Sequence, residues 1–365
     1  MARLNRLFAV YAAVLVLAPA VASAAGLGEK EVAKMTSFGG ACQKCELSGR
    51  KLVGARFVGA NFAGAALVGA DLRTARFIGS NFSGADLSRA DLSDADMMGA
   101  NFNGANLSNA RLRATEAKGV MFGSANLTRA DLSDAKATGA NFGKAQMQGA
   151  ILRAAEARGG MFGEADLTKA DLSDIGAQGA NFSKSTLHGT KLRAAALQAA
   201  NFTKASAQGA DFQDAEMTGA NLSWGRFDKA SFRATELQAV NMTGGSFHGA
   251  DFRDADMRRT VISGADLSRA RNLDQDQLDG ACGDARTKVA AGLYVKTCNH
   301  VRAVVRRHDP QAAARAEAAA EARAEARAEA AEAAIEARAA ARTVGRVTPP
   351  SPPSAPSSPS PPNPR

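Results

Sequence analysis

The sequence predicts an all-β solenoid with four sides, followed by a long single α-helix and a disordered tail. The first observation is a register of five: every fifth residue from Leu47 to Leu267 is apolar, which makes 45 consecutive units. The second is a period of twenty, because phenylalanine recurs at that interval from Phe62 to Phe202. A period of five suits neither a helix nor a strand, so the chain is expected to coil with one unit on each of four sides.

The repeating unit has a small residue in nearly every case, often followed by Asn or Asp, and then an apolar residue that is usually large, as in Ala60-Asn61-Phe62 and Ala70-Asp71-Leu72. The large residue is expected to point to the axis and the small residue to fill the corner. This pattern resembles the pentapeptide-repeat family, which implies a right-handed quadrilateral β-helix. The 45 units then make about 11 coils, and a strand spacing of about 4.8 Å gives a rod roughly 50 Å long.

The first 24 residues predict a signal peptide. Arg3 and Arg6 precede an apolar run over 7–17, and Ala22-Ser23-Ala24 offers a cleavage site near Ala24. The run is too short to span a bilayer comfortably, although an uncleaved membrane helix is the alternative. We therefore expect an exported chain, periplasmic or extracellular, that does not span the membrane after cleavage.

The remaining boundaries follow from composition and register. Residues 25–46 form an N-terminal segment with a CxxC cap, 47–270 the pentapeptide-repeat solenoid, and 271–309 a C-terminal cap. Residues 310–343 are almost wholly Ala, Glu and Arg, which favours a helix, and 344–365 are rich in Pro and Ser, which favours a disordered tail.

A period of forty alternates acidic and basic units on one side. Acidic units at 91–94, 131–134 and 171–174 alternate with basic units around Arg113, Arg153 and Arg193. Alternate signs in adjacent coils attract, by a few tenths of a kcal/mol per exposed pair. Duplication of a forty-residue block explains the same pattern, and the two explanations are compatible.

Several residues break the outward pattern and form a candidate interaction surface. Met121 and Met161 stand where Asn is the rule, and Ile151 and the only tryptophan, Trp224, also occupy outward positions. Apolar residues at outward positions in one pattern indicate a contact surface. Nearby, one wall has small central residues that are expected to bring it closer to the axis or to leave a void: Ala117, Ala137, Ala157 and Ala177.

Four cysteines in an exported chain predict two disulfides, within the pair Cys42 and Cys45 and within the pair Cys282 and Cys298. The pairs lie at opposite ends of the rod, so they do not form one zinc site. Glu46 after Cys45 excludes the haem-attachment pattern, while a redox-active CxxC stays open. The end of the repeats, with Gln277-Leu278, Gly283-Asp284 and Thr287, is similar to the cap seen behind pentapeptide solenoids.

No convergent catalytic or metal-binding pattern is present, so the prediction is a non-catalytic protein without a cofactor. The four histidines, His188, His248, His300 and His308, show no metal-ligand or triad spacing. Residues 41–270 contain 27 basic and 23 acidic residues, which makes nucleic acid an unlikely partner. The expected role is a scaffold for a protein or envelope partner, with a homodimer left open. The alternatives are a DNA-mimicking topoisomerase inhibitor, as some pentapeptide-repeat proteins of quinolone resistance are, and a binder of nucleic acid or polyanions.

Overall fold

The structure is a computed structural model that describes residues 40–298. The predicted signal peptide, the predicted helix over 310–343, the tail, His300 and His308 lie outside these residues. The chain divides into two units, Met1–Cys298 and Asn299–Arg365, and the architecture below belongs to the first.

Each five-residue unit contains one β-turn that begins at the central apolar residue. At Leu47, for example, the carbonyl accepts a hydrogen bond of 3.1 Å from the Arg50 N–H, and Gly49 between them has a φ of +66°. A positive φ at the third residue is that of a type II turn. It recurs at every fifth residue from Lys44 to Gly264, whether that residue is glycine or not.

Successive units stack in layers of twenty residues, with four turns in each layer. Single parallel bridges, rather than extended strands, join residues twenty apart, from Ala41 with Asn61 to Asp251 with Arg271. Within the described residues, pairing is present from Ala41, six residues before the predicted start of the repeats, because the backbone of the Cys42–Cys45 unit makes the same bridges and turn as the units that follow.

The central residues are buried as the register predicted, and the phenylalanines spaced by twenty form one interior column. From Phe62 to Phe202, successive ring centroids lie 4.7–5.4 Å apart and the ring planes differ by 3–22°. The backbone bridges impose this spacing, since each ring lies one layer above the last. The prediction of an interior column is confirmed.

The wall with small central residues is also buried. Three of its corner positions hold residues larger than the usual alanine, namely Thr115, Val120 and Ile175, and all three are buried. Larger corner residues therefore supply part of the volume that the central alanines lack. Elsewhere, buried corner hydroxyls donate to turn carbonyls, as Thr190 does to Leu167 over 2.8 Å, so these polar groups are satisfied.

The repeats end at a helical cap. Helix α1, Gln275–Asp279, is the only α-helix in residues 40–298, and Asp274 caps its N-terminus. The Gln277 side chain donates to the carbonyls of Phe252 (2.7 Å) and Ala255 (2.9 Å), while Leu278 is buried against the core. The cap thus covers the final layer and supplies hydrogen-bond donors to carbonyls at the end of the ladder.

The chain continues to pair beyond α1, but in a shifted register. Cys282 bridges to Val261 and Lys288 to Asp266, at separations of 21 and 22 instead of twenty. No helix in the described part of the chain is long and apolar enough to cross a membrane.

Candidate interaction surface

The residues that broke the outward pattern fall on two different sides. Met121 and Met161 occupy bridge positions in the column that starts at Asn61, and Trp224 lies in a turn at the edge of the same side. Ile151 occupies a bridge position in the column that starts at Lys51, two sides further along each layer and therefore opposite. The candidate surface is thus Met121, Met161 and Trp224, without Ile151.

We call this side the asparagine side. It comprises residues 59, 61 and 63 and their equivalents at intervals of twenty, to 239, 241 and 243. The asparagines of its central column each accept a hydrogen bond from the backbone N–H two residues on, as Asn141 does from Gly143 over 2.9 Å. Asn81 and Asn101 also donate to the preceding asparagine, over 3.2 and 3.1 Å.

Methionine at these positions gives up the turn hydrogen bond. Met121 and Met161 have no oxygen to accept the N–H of Gly123 and Gly163, whereas the neighbouring Asn181 accepts that of Ser183 over 3.0 Å. One such bond contributes about 0.5–1.5 kcal/mol. The two side chains are instead 39% and 44% exposed. These methionines therefore weaken the turn while placing apolar surface in solvent.

Trp224 rests on the next layer. A Cβ atom built on Gly244 would lie 2.5 Å from the Trp224 ring, so a larger residue there would require the indole to move. The indole is nevertheless 58% exposed. The packing on Gly244 explains part of the position of Trp224. The sequence interpretation missed this contact between residues twenty apart.

A further apolar group next to the asparagine side was also missed. Val58 and Met98 are 55% and 37% exposed, and Ile78 between them is half-buried. The three residues stand twenty apart, and each directly precedes a glycine of the asparagine side. The signal was present in the period of twenty, which places them in one column.

The opposite side is charged and pairs its charges across layers. Arg113 lies 3.9 Å from Asp131, Arg153 lies 2.7 Å from Asp171, and the spacing repeats further along. Burial opposes ionisation of Asp171, but hydrogen bonds from Arg153 and Ser173 outweigh it and hold the pKa of its carboxyl below the ordinary value. The forty-residue alternation thus places opposite charges against each other.

One Ser-His-Asp group is brought together that the sequence did not reveal. Ser246 Oγ lies 3.0 Å from His248 Nδ1 and 2.5 Å from Asp228, and His248 Nε2 lies 3.3 Å from Asp266. The group is spread over three layers on an open side, and the imidazole is 44% exposed. These contacts join three successive layers of the stack.

A small concavity lies near the C-terminal end of the stack. A concavity of about 150 Å³ lies among Thr218, Gln238, Ala239, Arg258 and Arg259. Ligand pockets usually measure about 300–1,000 Å³. Among residues 40–298 no group of three or more His, Cys, Asp and Glu side chains could hold a metal ion.

The two cysteine pairs are each close in space. The Sγ atoms of Cys42 and Cys45 lie 2.18 Å apart, and those of Cys282 and Cys298 lie 1.96 Å apart. The first pair is in the first layer and the second joins the segments that follow α1. Both ends of the stack therefore carry sulfur atoms at bonding distance.

The sequence profile described as pentapeptide repeats matches the chain in eight copies, over residues 42–77, 75–113, 118–159, 161–198, 195–233 and 235–271. These segments cover more than half of the chain, which therefore belongs to the pentapeptide-repeat family. Proteins of this family fold as right-handed quadrilateral β-helices. They are generally structural or interaction proteins rather than enzymes, and they mediate protein interactions.

Several solved structures are similar. HetL, a pentapeptide repeat protein involved in heterocyst differentiation regulation in the cyanobacterium Nostoc sp. strain PCC 7120, is 27% identical; the match covers 64% of this chain and 94% of HetL, with a TM-score of 0.29. A pentapeptide repeat protein of the Arabidopsis thaliana thylakoid lumen is 32% identical over 32% of this chain and 79% of its own, with a TM-score of 0.28.

QnrB1, a plasmid-mediated fluoroquinolone resistance protein, is 20% identical in a trypsin-treated form; the match covers 62% of this chain and 90% of QnrB1, with a TM-score of 0.26. No curated protein matches the chain. Because all these TM-scores are low, nothing about the function of this chain rests on the solved structures.

Proposed function

We propose that the chain is an exported, non-catalytic scaffold: a rod of about 11 coils that presents its sides to protein partners in the cell envelope. The observation that carries the proposal is the unbroken ladder from Ala41 to Arg271, which holds outward side chains at fixed positions. Exposed methionine and tryptophan on one side supply apolar surface for a protein contact, either with a different protein or with a second copy of the chain. The family's general role in protein interaction supports the same class of function.

Export is proposed from the N-terminal sequence together with the cysteines. The basic, apolar and small-residue sections of residues 1–24 are those of a signal peptide. Two cysteine pairs at bonding distance suit an oxidising compartment, where disulfides form and persist. Both features favour the periplasm or the exterior over the cytoplasm.

The charge distribution disfavours nucleic acid as the partner. Residues 41–270 have a surplus of only four basic residues, 27 against 23 acidic. On the charged side, arginines such as Arg153 and Arg193 are paired with aspartates of the next layer. A polyanion would have to displace these pairs, and a DNA mimic would need a predominantly acidic surface, which this chain lacks.

The test is localisation and affinity capture in the organism that makes the protein. We compare the full-length chain with a form that ends at His308, because we also propose that the segment beyond His308 tethers the rod to another envelope component. The expected result is an envelope protein with no free thiols, whose captured partners change on truncation. A form that lacks residues 1–24 is the control and should stay in the cytoplasm. Recovery of the full-length chain from the cytoplasm with four free thiols would contradict the proposal.

A further inference from the structure

The asparagine side carries no charged residue over the ten layers from Gly59 to Thr243, and the next layer of its first column holds Arg259. From Gly59 to Thr243 its three columns contain only Gly, Ala, Asn, Ser, Thr and Met. The chain as a whole is 22% charged, and the other sides carry the acidic and basic residues of the repeats. A neutral strip of this length lets two surfaces approach without like-charge repulsion.

The first of these columns has almost no side chains, and we call it the bare column. It holds glycine in eight layers and alanine at 199 and 239: Gly59, Gly79, Gly99, Gly119, Gly139, Gly159, Gly179, Ala199, Gly219 and Ala239. A Cβ atom built on any of the eight glycines would meet nothing within 4 Å. The equivalent turns of other sides carry Asp94, Arg129 and Lys169 at φ values of 56–59°. The bare column is therefore not required by the packing of the stack.

Exposed apolar residues gather along this bare column. Of the eight large apolar residues that are exposed in the described chain, Val58 and Met98 stand directly before it and Met121 and Met161 directly beyond its corner. The two methionines also give up the turn hydrogen bond that asparagine makes. The lack of side chains in the bare column and the exposed apolar residues beside it are independent features. Both indicate that this side is a contact surface.

We propose that two copies of this chain associate side by side, with parallel axes, through the asparagine side. The twofold axis runs along the column that starts at Asn61. Met121 and Met161 then each meet the same residue of the other copy. The bare column of one copy faces the column that starts at Ala63, whose residues are Ala, Asn, Gly, Ser and Thr. This inference goes beyond the proposed function, because it concerns assembly of the rod itself.

Charge complementarity at the two edges favours parallel over antiparallel packing. In the parallel pair, Arg158 on one edge faces Glu164 on the other edge of the partner copy, and both are exposed. Lys144 faces the uncharged Thr138. An antiparallel pair centred on the layer of Lys144 would instead place Lys144 opposite Lys144 of the other copy. It would also place Lys118 opposite Arg158. The arrangement of charges along the edges therefore selects the parallel pair.

The contact area is sufficient for a weak dimer. Ten layers, from Gly59 to Ala239, extend about 43 Å at a spacing of about 4.8 Å, and the strip is about 10 Å wide for three to four extended residues. The two copies would bury roughly 1,000 Å² in total, the lower limit for a specific interface. We therefore expect a dissociation constant on the order of 10 μM.

The first experiment compares two substitutions at equivalent bridge positions on opposite sides. Met161→Arg places an arginine of each copy on the twofold axis, whereas Ile151→Arg places the same side chain on the charged side. The fold accepts arginine at bridge positions such as Arg76, Arg111 and Arg226. Sedimentation equilibrium of the full chain should show monomer–dimer exchange whose dissociation constant rises at least tenfold in Met161→Arg and stays unchanged in Ile151→Arg.

The second experiment tests the parallel orientation. Arg158→Glu should weaken the dimer, because it places two carboxylates together, and Arg158→Glu with Glu164→Arg should restore it. In an antiparallel pair Arg158→Glu would strengthen association, since Glu would face Lys118. Stronger association of Arg158→Glu would thus overturn the parallel arrangement.

Two results would overturn the inference as a whole. They are a chain that stays monomeric to about 100 μM, ten times the expected dissociation constant, and a dimer that Met161→Arg leaves intact. Met121→Asn with Met161→Asn, which restores the common residue, should weaken the dimer with normal melting. Envelope capture can succeed or fail independently of these results, so the two proposals are tested separately.

Discussion

Gly245 is expected to be essential to the core because Phe247 occupies the space that a side chain would need. A Cβ atom at residue 245 would lie 2.8 and 3.1 Å from two Phe247 ring carbons and 3.2 Å from the Met242 carbonyl. The ring cannot move away, since it stacks on Phe227 at 5.4 Å and packs against Phe252 at 5.9 Å. Gly245→Ala should therefore cost about 1–3 kcal/mol through overpacking.

The assay is thermal unfolding followed by circular dichroism. In a domain of this size we expect Tm to fall by roughly 2–4 °C per kcal/mol. Phe247→Leu should rescue Gly245→Ala, because leucine is smaller than phenylalanine and leaves room for the added methyl group. The same side already combines a central leucine with a corner residue larger than glycine, at Leu187 and Ser185. Gly176→Ala is the matched control, since its Cβ would meet atoms only at 3.8 Å and beyond. Wild-type melting of Gly245→Ala, or failure of the rescue, would refute this account of the core.

Three other predictions concern the interior and the C-terminal cap. Leu132→Lys should abolish cooperative unfolding, because it places a charge on a dry axis; melting like that of the wild type would show that residue 132 is not inside. If Cys282 and Cys298, separated by 16 residues, are bridged, mapping without reductant recovers a linked peptide and reduction lowers stability by about 3 kcal/mol; free thiols would contradict this. Hydrogen bonding from Arg286 lowers the pKa of Asp284 to about 2. Its contribution to stability is therefore complete above the unfolded value of about 3.9 and is lost as the pH falls through about 2. Asp284→Asn should remove that part of the acid dependence in unfolding measured from pH 5 to 2, and an unchanged acid profile would count against the contact.

The period of twenty also predicts which outward residues share a side. Ile151 was grouped with Met121 and Met161 because all three break the outward pattern. Their positions differ by ten and by thirty residues, however, which places Ile151 two sides away. The apolar column of Val58, Ile78 and Met98 was available from the same arithmetic. The spacing in the sequence is therefore sufficient to assign these residues to their columns.

The start of the ladder shows a different limit. The sequence predicts an N-terminal segment with a CxxC cap over residues 25–46, ahead of the solenoid. The structure pairs Ala41 with Asn61 and Glu46 with Ala66, so the unit is part of the stack. The backbone bridges do not depend on the identity of the central side chain, and a half-buried cysteine suffices at an end layer.

The sequence alone determined the layer, the interior column and the outward asparagines, because the backbone bridges from Ala41 to Arg271 join each bridge residue to its equivalent twenty positions on. In such a repeat architecture, periodicity in sequence is proximity in space. Only the tertiary structure decided the rest. The register shift after α1, the fit of Trp224 over Gly244 and the Ser246–His248 contact depend on side-chain volume and direction at single layers, where the period no longer specifies which atoms meet.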